Sequence, residues 1–443
     1  AQGPDGRWRT LDSRALHRAA VAMSERYDTL LADHLTARLG LEWEYRERGP
    51  QRNPAFELAA VPQVLLDEFS RRSTAIDVET DRLVGQYVTD HGRRPNGATI
   101  IRLRQQATLA TRGPKEVYSL DELTSQWKAR ARELGDAVPA QWLDRALTSG
   151  SHERVSGLAE RPRMVSDAAT AVLNVLTRKR STWSPWNIDA EASRALKAYR
   201  FETAKERDRS VAAVVAEVQS RSVLLTPAEV ASIPASLRRS DGSSALRPHR
   251  GERYTSQATL DAEDRLLVAS RDHTGPTAKP WSLAATDLVY DQLVAAEQSL
   301  TSGRALDVMV GPAGSGKTRT LAAMRTAWEK DHGDGSVVGL APSAAAAEVL
   351  GSTLGIPTEN TAKWLVEHDA TPERLTRLER AESALPRATS REAAREIAGH
   401  IQRLTDELDQ WRFKPGQLVI IDEATLASTL DLDRIVAAAG EAG

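Results

Sequence analysis

The chain has 443 residues, 41% of them hydrophobic and 27% charged, with a formal net charge of -2 and no cysteine. That composition is one of a folded chain of roughly two to four domains, and it excludes disulfides, thiolate zinc sites and iron–sulfur clusters. No apolar run is long enough to cross a bilayer and no secretion-type N-terminus is evident, so a cytoplasmic location without membrane attachment is expected; with no global excess of cations, any nucleic-acid surface must be local.

Turn chemistry opens the chain at Pro4-Asp5-Gly6, and Arg7-Trp8-Arg9-Thr10 has the look of the second strand of a hairpin. A long helix follows, capped at Asp12 or Ser13 and ended by Gly40, with Leu16, Met23, Tyr27, Leu31 and Leu35 predicted to line its apolar face. Leu41 to Tyr45 and Phe56 to Val61 are expected as short strands, and Val61 to Ile76 and Val78 to His91 as helices. Helical, Arg- and Lys-rich sequence runs from about Arg102 to Ser222, broken near "STWSPWN" at Ser181 to Asn187. Between Thr226 and Lys279 the density of Ser, Arg, Pro and Gly predicts a loop-rich joint.

From Ser282 the pattern alternates. A helix over Ser282 to Leu300, a buried strand over Leu306 to Val310, a helix over Thr318 to Glu329 and strands over Ser336 to Ala341 and Leu418 to Ile421 predict a parallel sheet with crossover helices. Pro372 to Trp411 is a charged insertion; Pro386 splits it into a helical hairpin, Thr389 with Glu392 offers a capping box, and Ile397, Ile401, Leu404 and Leu408 mark its apolar stripe. The fold class expected is an α+β segment and helical connector followed by an α/β lobe. The boundaries are 1–135, 136–225, 226–281 and 282–443, with the helical insertion at about 368–412.

Gly311-Pro-Ala-Gly314-Ser315-Gly316-Lys317-Thr318 satisfies G-x-x-x-x-G-K-[ST] without mismatch. Its glycines let backbone N–H groups turn toward phosphate oxygens, Lys317 reaches the β/γ-phosphates, Thr318 offers a hydroxyl to Mg²⁺, and a helix start adds its positive dipole end. About a hundred residues later the apolar run Leu418-Val-Ile-Ile421 delivers Asp422 toward the Mg²⁺ shell and Glu423 to a position suited to polarising a water. ATP and Mg²⁺ are therefore the expected cofactors.

The succession of this loop, Leu340-Ala-Pro-Ser343 and Asp422-Glu423-Ala424 resembles motifs I, Ia and II of superfamily 1 helicases of the RecD-like branch, which implies a RecA-like P-loop lobe. Tyr290-Asp291-Gln292 resembles the Q-motif, in which the glutamine reads adenine. The resemblance also implies single-stranded DNA contacts at Pro342 and Ser343 and, further along, Thr361 and Lys363. The stretch from "GPDGRWRTLDSRALHRAA" to "GLEWEYRE", with "FSRRSTAID" and "RQQATLATRGPKE", resembles the late part of a TrwC/TraI-type relaxase domain, and "STWSPWNIDAEASR" with "RYTSQATLDAEDRLL" resembles the connector of actinobacterial relaxase–helicases. The whole thus resembles the MobF-type relaxase–helicases of conjugative plasmids. In that family the nicking tyrosine and a His-x-His metal strand precede the segment seen here, and a second lobe completes the motor. None of the nine histidines forms His-x-His. The expectation is ATP hydrolysis coupled to movement on transferred plasmid DNA, without nicking by this chain, alongside relaxosome and type IV secretion coupling components.

Two basic clusters are candidates for phosphate contacts: Arg102, Arg104, Arg112 and Lys115, and Arg161, Arg163, Arg178, Lys179 and Arg180 with Trp183 and Trp186 nearby. The alternative for both is a solvated helix face with its tryptophans in the core. Two other functions stay open, a DNA-independent P-loop NTPase and a DNA-binding module that binds ATP without turnover.

Overall fold

A computed structural model describes residues 6–8, 10, 13–47, 53–92, 95, 97–113, 116–139, 141–148, 161–279, 287–312 and 314–443. Of the turn and strand expected at residues 4–10, residues 4, 5 and 9 lie outside them. The chain divides into two units, Ala20–Met164 with Ser193–Ala212, and Ala1–Ala19 with Val165–Ala192 and Ala213–Gly443.

The first unit is built on α1 (Ser13–Leu39), which ends where Gly40 takes φ 67°. β1 (Trp43–Arg46) and β2 (Ala55–Leu58) then pair antiparallel, with Tyr45 opposite Phe56. Helices α2 (Gln63–Phe69), α3 (Arg71–His91), α4 (Gly97–Ala110), α5 (Leu120–Glu133) and α6 (Trp142–Thr148) follow. The break between α2 and α3 falls at Ser70 and not at Asp77 as the sequence suggests. α5 carries a full capping box, Ser119 with Glu122.

The apolar face expected on α1 is corrected by the structure. Leu16 is 61% and Tyr27 64% exposed, while Ala22, Thr29, Ala32 and Asp33 are buried. The buried face is chosen by charge. Glu25 accepts from Arg194 at 2.9 Å and Lys197 at 2.6 Å, and Asp33 meets Arg200 and Arg207, which is 1% exposed. Small side chains around those carboxylates let the arginine-rich segment approach, and long apolar residues on that face would hold it away.

Connector helices α7 (Arg161–Lys179), α8 (Pro185–Ala195) and α9 (Ala204–Ser220) follow the predicted break, with the N-terminus of α8 closed by Ser184 and Asn187. Within the second unit, β3 (Val223–Leu224) pairs with β4 (Tyr254–Thr255), and fully buried Trp183 exchanges backbone hydrogen bonds with Tyr254. The loop-rich joint contains a helix the composition concealed, α10 (Gln257–Ala269), N-capped by Ser256.

The lobe proper comprises α11 (Tyr290–Thr301), α12 (Lys317–His332), β5 (Val337–Ala341), α13 (Ala344–Leu354), β6 (Thr358–Asn360), α14 (Thr361–Asp369), α15 (Thr371–Ala384), α16 (Arg391–Gln410), β7 (Leu418–Ile421) and α17 (Thr429–Ala442). The strands make a parallel sheet of order β6-β5-β7, with Gly339 beside both Thr358 and Ile420. Met324, Ala327 and Trp328 of α12 pack with Val337, Leu350, Leu354 and Ile420 into its core. A second cluster joins Leu340, Trp364, Leu365, Trp411 and Ile435. α15 and α16 form the predicted hairpin, capped by Ser390 in place of Thr389. α10 packs on α17, and Arg265 grips Asp433 with two nitrogens at 3.0 and 2.7 Å, so this helix is part of the lobe's body.

One predicted element is missing. Leu306 to Val310 forms no strand among the described residues; Val308 is 75% and Val310 89% exposed, while Met309 packs against the core. The stretch has a strand's composition and alternation but no ladder partner.

Candidate nucleotide-binding site

The glycine-rich loop sits where α12 begins. Gly314 has φ 81° and Gly316 φ 78°, the left-handed backbone that a tight turn before a helix needs. A Cβ on Gly311 would come within 2.6 Å of Ser315 Oγ and 3.3 Å of Lys317 Cγ, so the loop closes on itself with no space for a side chain there. Lys317 Nζ donates to the carbonyls of Gly311 at 2.7 Å and Pro312 at 3.1 Å. An anion in the loop offers that ammonium better acceptors than its own backbone. Thr318 is exposed on the first turn. Ala313 lies outside the described residues.

Gln292, in the first turn of α11, reaches this loop. Its Nε2 donates to Ser315 O at 2.9 Å, and its Oε1 accepts from Val289 N at 3.4 Å.

The acidic pair lies at the carboxyl edge of the sheet. Leu340 and Ile421 are neighbours in register, and Asp422 N donates to Leu340 O at 3.0 Å. Pro342-Ser343 and Asp422-Glu423 therefore leave adjacent parallel strands at one edge, where open α/β sheets bind ligands. Trp328 Nε1 donates to Gly416 O at 3.0 Å, just ahead of β7. This fixes the C-terminal end of α12 at the opposite edge, where β7 begins. Glu423 holds φ 52°, one of two non-glycine residues with positive φ among those described, and Asp422 Oδ1 accepts from Glu423 N at 2.9 Å. Backbone strain of this kind is concentrated at functional sites.

The glycine cradle, the Lys317 ammonium, the exposed Thr318 hydroxyl and the Asp422 carboxylate are groups of the kind that a magnesium nucleotide needs. Residues 287–443 match the family described as AAA domain, and residues 1–134 match the family described as TrwC relaxase. The chain matches a MobF-type relaxase–helicase. No curated protein and no solved structure matches it. No helix among the described residues is long and apolar enough to cross a membrane.

The residues expected to touch DNA are placed unequally. Ser343 caps α13, accepting from Ala346 N at 3.1 Å, and Pro342 O accepts from Asn360 Nδ2 at 3.1 Å. Both remain half-buried at the sheet edge. Thr361 is 3% exposed, which corrects its candidacy: as the first residue of α14 it faces the core, while Asn360 caps the helix. Lys363 is exposed but paired, 2.5 Å from Glu359 and over the Trp411 ring at 5.3 Å. Burial opposes ionisation of Glu359, yet Lys363 and the Asn360 N–H outweigh it and hold the carboxyl below its ordinary range.

The basic clusters are less open than their composition suggests. Arg104 pairs with Asp77 at 2.6 Å, Arg102 donates to Thr99 at 3.3 Å, Arg112 is exposed and Lys115 lies outside the described residues. In the second cluster Arg163, Arg178 and Lys179 are exposed, Trp183 is core, and Trp186 is half-buried under Arg250 at 4.4 Å, while the Arg161 side chain lies outside the described residues. Histidines pack similarly: His332 stacks on Trp328 and His368 on Trp364.

Proposed function

We propose that the lobe binds ATP with Mg²⁺ and hydrolyses it to drive movement along single-stranded plasmid DNA, with RecD-like superfamily 1 geometry. The observation that supports this reading is the glycine loop 311–318 at the start of α12, bonded by Gln292, on a helix that packs against the sheet from whose carboxyl edge Asp422 and Glu423 leave. Bound Mg²⁺ supplies neutralising charge for the phosphates; Thr318 and Asp422 are the residues to hold it. Lys317 leaves the loop carbonyls to stabilise phosphate charge. Glu423 is the base that orients and polarises the attacking water. Pro342 and Ser343, at the adjacent strand end, are the DNA-side contacts that link strand position to the acidic pair. The matched relaxase segment supports work on plasmid DNA beside relaxosome and type IV secretion coupling components.

The test is steady-state ATP hydrolysis by the full chain with and without single-stranded DNA, beside Lys317→Ala. Turnover that DNA stimulates, and that the substitution lowers by roughly a hundred-fold or more, is the expected result. Turnover indifferent to DNA favours a simple P-loop NTPase. ATP and DNA binding without turnover favours a module in which nucleotide acts as a conformational ligand.

A further inference from the structure

Pro342 and Ser343 leave β5 with little to anchor them. Proline brings no N–H to the turn, and Ser343 Oγ accepts from Ala346 N at 3.1 Å as the cap of α13. A further hold on this turn comes from β6. Asn360 is the last residue of that strand and stands beside Ala341 in register. Its Nδ2 donates to Pro342 O at 3.1 Å, and its Oδ1 accepts from Ala362 N at 2.9 Å and Lys363 N at 3.2 Å. The side chain thus adds one hydrogen bond beyond the last register pair of β5 and β6, and the same carboxamide caps α14.

The partners fix the orientation of the group: two N–H donors require the oxygen, and a carbonyl requires the amide nitrogen. Aspartate caps a helix as well as asparagine does but has no proton for Pro342 O, and serine caps with a hydroxyl on a shorter stem. The helix that Asn360 caps is packed into the lobe, with Trp364 and Leu365 in the core beside Leu340 and Trp411. Glu359 accepts from Asn360 N at 2.8 Å, so the residue is held by its backbone as well. On the other side of the turn, Leu340 O accepts from Asp422 N at 3.0 Å. Residues 340–342 are therefore fixed between the acidic strand and Asn360.

We propose that Asn360 is the positioning residue of the DNA-side turn. It acts through the Pro342 carbonyl and not by touching DNA. By tying that carbonyl to the packed start of α14 it sets in advance the direction in which the backbone of 342–343 meets a single strand, so less order has to be imposed when DNA binds. The proposal rests on the reading of Pro342 and Ser343 as DNA-side contacts.

The experiment measures fluorescence anisotropy of a labelled oligo(dT) with the full chain, and calorimetric titration with Mg-ATP, for wild type, Asn360→Asp and Asn360→Ser. Both replacements keep an oxygen for the N–H groups of α14, and only aspartate adds a charge. The expected result for both is oligo(dT) binding weakened about five-fold, as for one lost hydrogen bond, with Mg-ATP affinity and melting temperature unchanged. A defect in the aspartate variant alone would assign the effect to charge repulsion and overturn the proposal. Wild-type DNA affinity in both would leave Asn360 a helix cap only, overturning the proposal while the DNA reading stands. Loss of Mg-ATP affinity or of melting temperature alongside the DNA defect would make Asn360 a general scaffold, which overturns it too. If wild type does not bind oligo(dT), the DNA reading itself falls and the positioning role with it.

Discussion

Replacing Asp33 with alanine should cost the first unit a large share of its stability. Asp33 Oδ1 accepts from Arg200 Nη1 at 3.2 Å, Arg207 Nη2 at 2.7 Å and Phe201 N at 3.3 Å, and Oδ2 accepts from Arg207 Nε. Both guanidinium groups are buried, Arg207 stacking on Phe201 at 4.6 Å and Arg200 on Phe56 at 5.3 Å. Burial already pulls Arg200 below the ordinary arginine range. Without the carboxylate two cations remain in a site that water does not reach, and breaking a buried pair in this way costs about 3–5 kcal/mol. Against a typical domain stability of about 5–15 kcal/mol, that loss is enough to unfold a marginal unit. The assay is native-state hydrogen exchange over residues 20–47 and 193–212, because two units need not unfold in one transition. A loss under about 1 kcal/mol would refute the reasoning and mark the cluster as solvated. A sharper control is the triple replacement Asp33→Leu, Arg200→Met, Arg207→Leu, which should be close to neutral if charge burial, and not packing, sets the cost.

Two further outcomes are open to direct measurement. Gly339→Ala should destabilise the lobe by about 1–3 kcal/mol in urea unfolding, since its Cβ would fall 2.7 Å from Thr358 Cγ2 and 2.9 Å from Leu350 Cδ2; an unaffected midpoint would mean β5 and β6 can part at little cost. Hydrogen bonds from the Ser243 hydroxyl and N–H, with His249 adding less, hold the Asp241 carboxyl down to about 2 from 3.8. The folded value is depressed, so the contribution of this group to the order of the 238–251 loop is present above the unfolded value and disappears as pH falls through about 2. A carboxyl NMR titration giving an ordinary aspartate value would contradict it.

The parts of the fold governed by local chemistry could be read directly. β7 matches the predicted Leu418 to Ile421 because a four-residue apolar run between a turn and an acidic pair has one plausible conformation, and the loop at 311–318 is specified by glycine positions alone. The hairpin of α15 and α16 followed from Pro386 and one apolar stripe. Two of the failures were non-local. Leu306 to Val310 needed a neighbouring strand that no property of the pentapeptide reveals. The orientation of α1 was decided by arginines 167 and 174 residues distant, whose pairing with Asp33 outweighed the periodicity of Leu16, Met23 and Tyr27. Helix α10 was hidden by the polar sequence before it, although Ser256 and Thr259 form a recognisable cap. At the site, Gln292 and the acidic pair were legible as residues. The bond from Gln292 to Ser315 O was not, because it joins two elements whose separation only the folded lobe defines.

The hairpin leaves and re-enters the lobe through a closed base. His368 Nδ1 is 3.0 Å from Trp411 O, and Trp364 stacks on Phe413 at 4.2 Å, so the chain departs after α14 and returns ahead of β7 within a single set of contacts. Everything beyond that base is topologically an excursion. A short turn could replace it without shifting the register of β5 against β7, and a different appendage could be grafted in its place. The same closure makes the hairpin tip the natural position for a fluorophore or an affinity tag, well removed in sequence from the glycine loop and from Asp422.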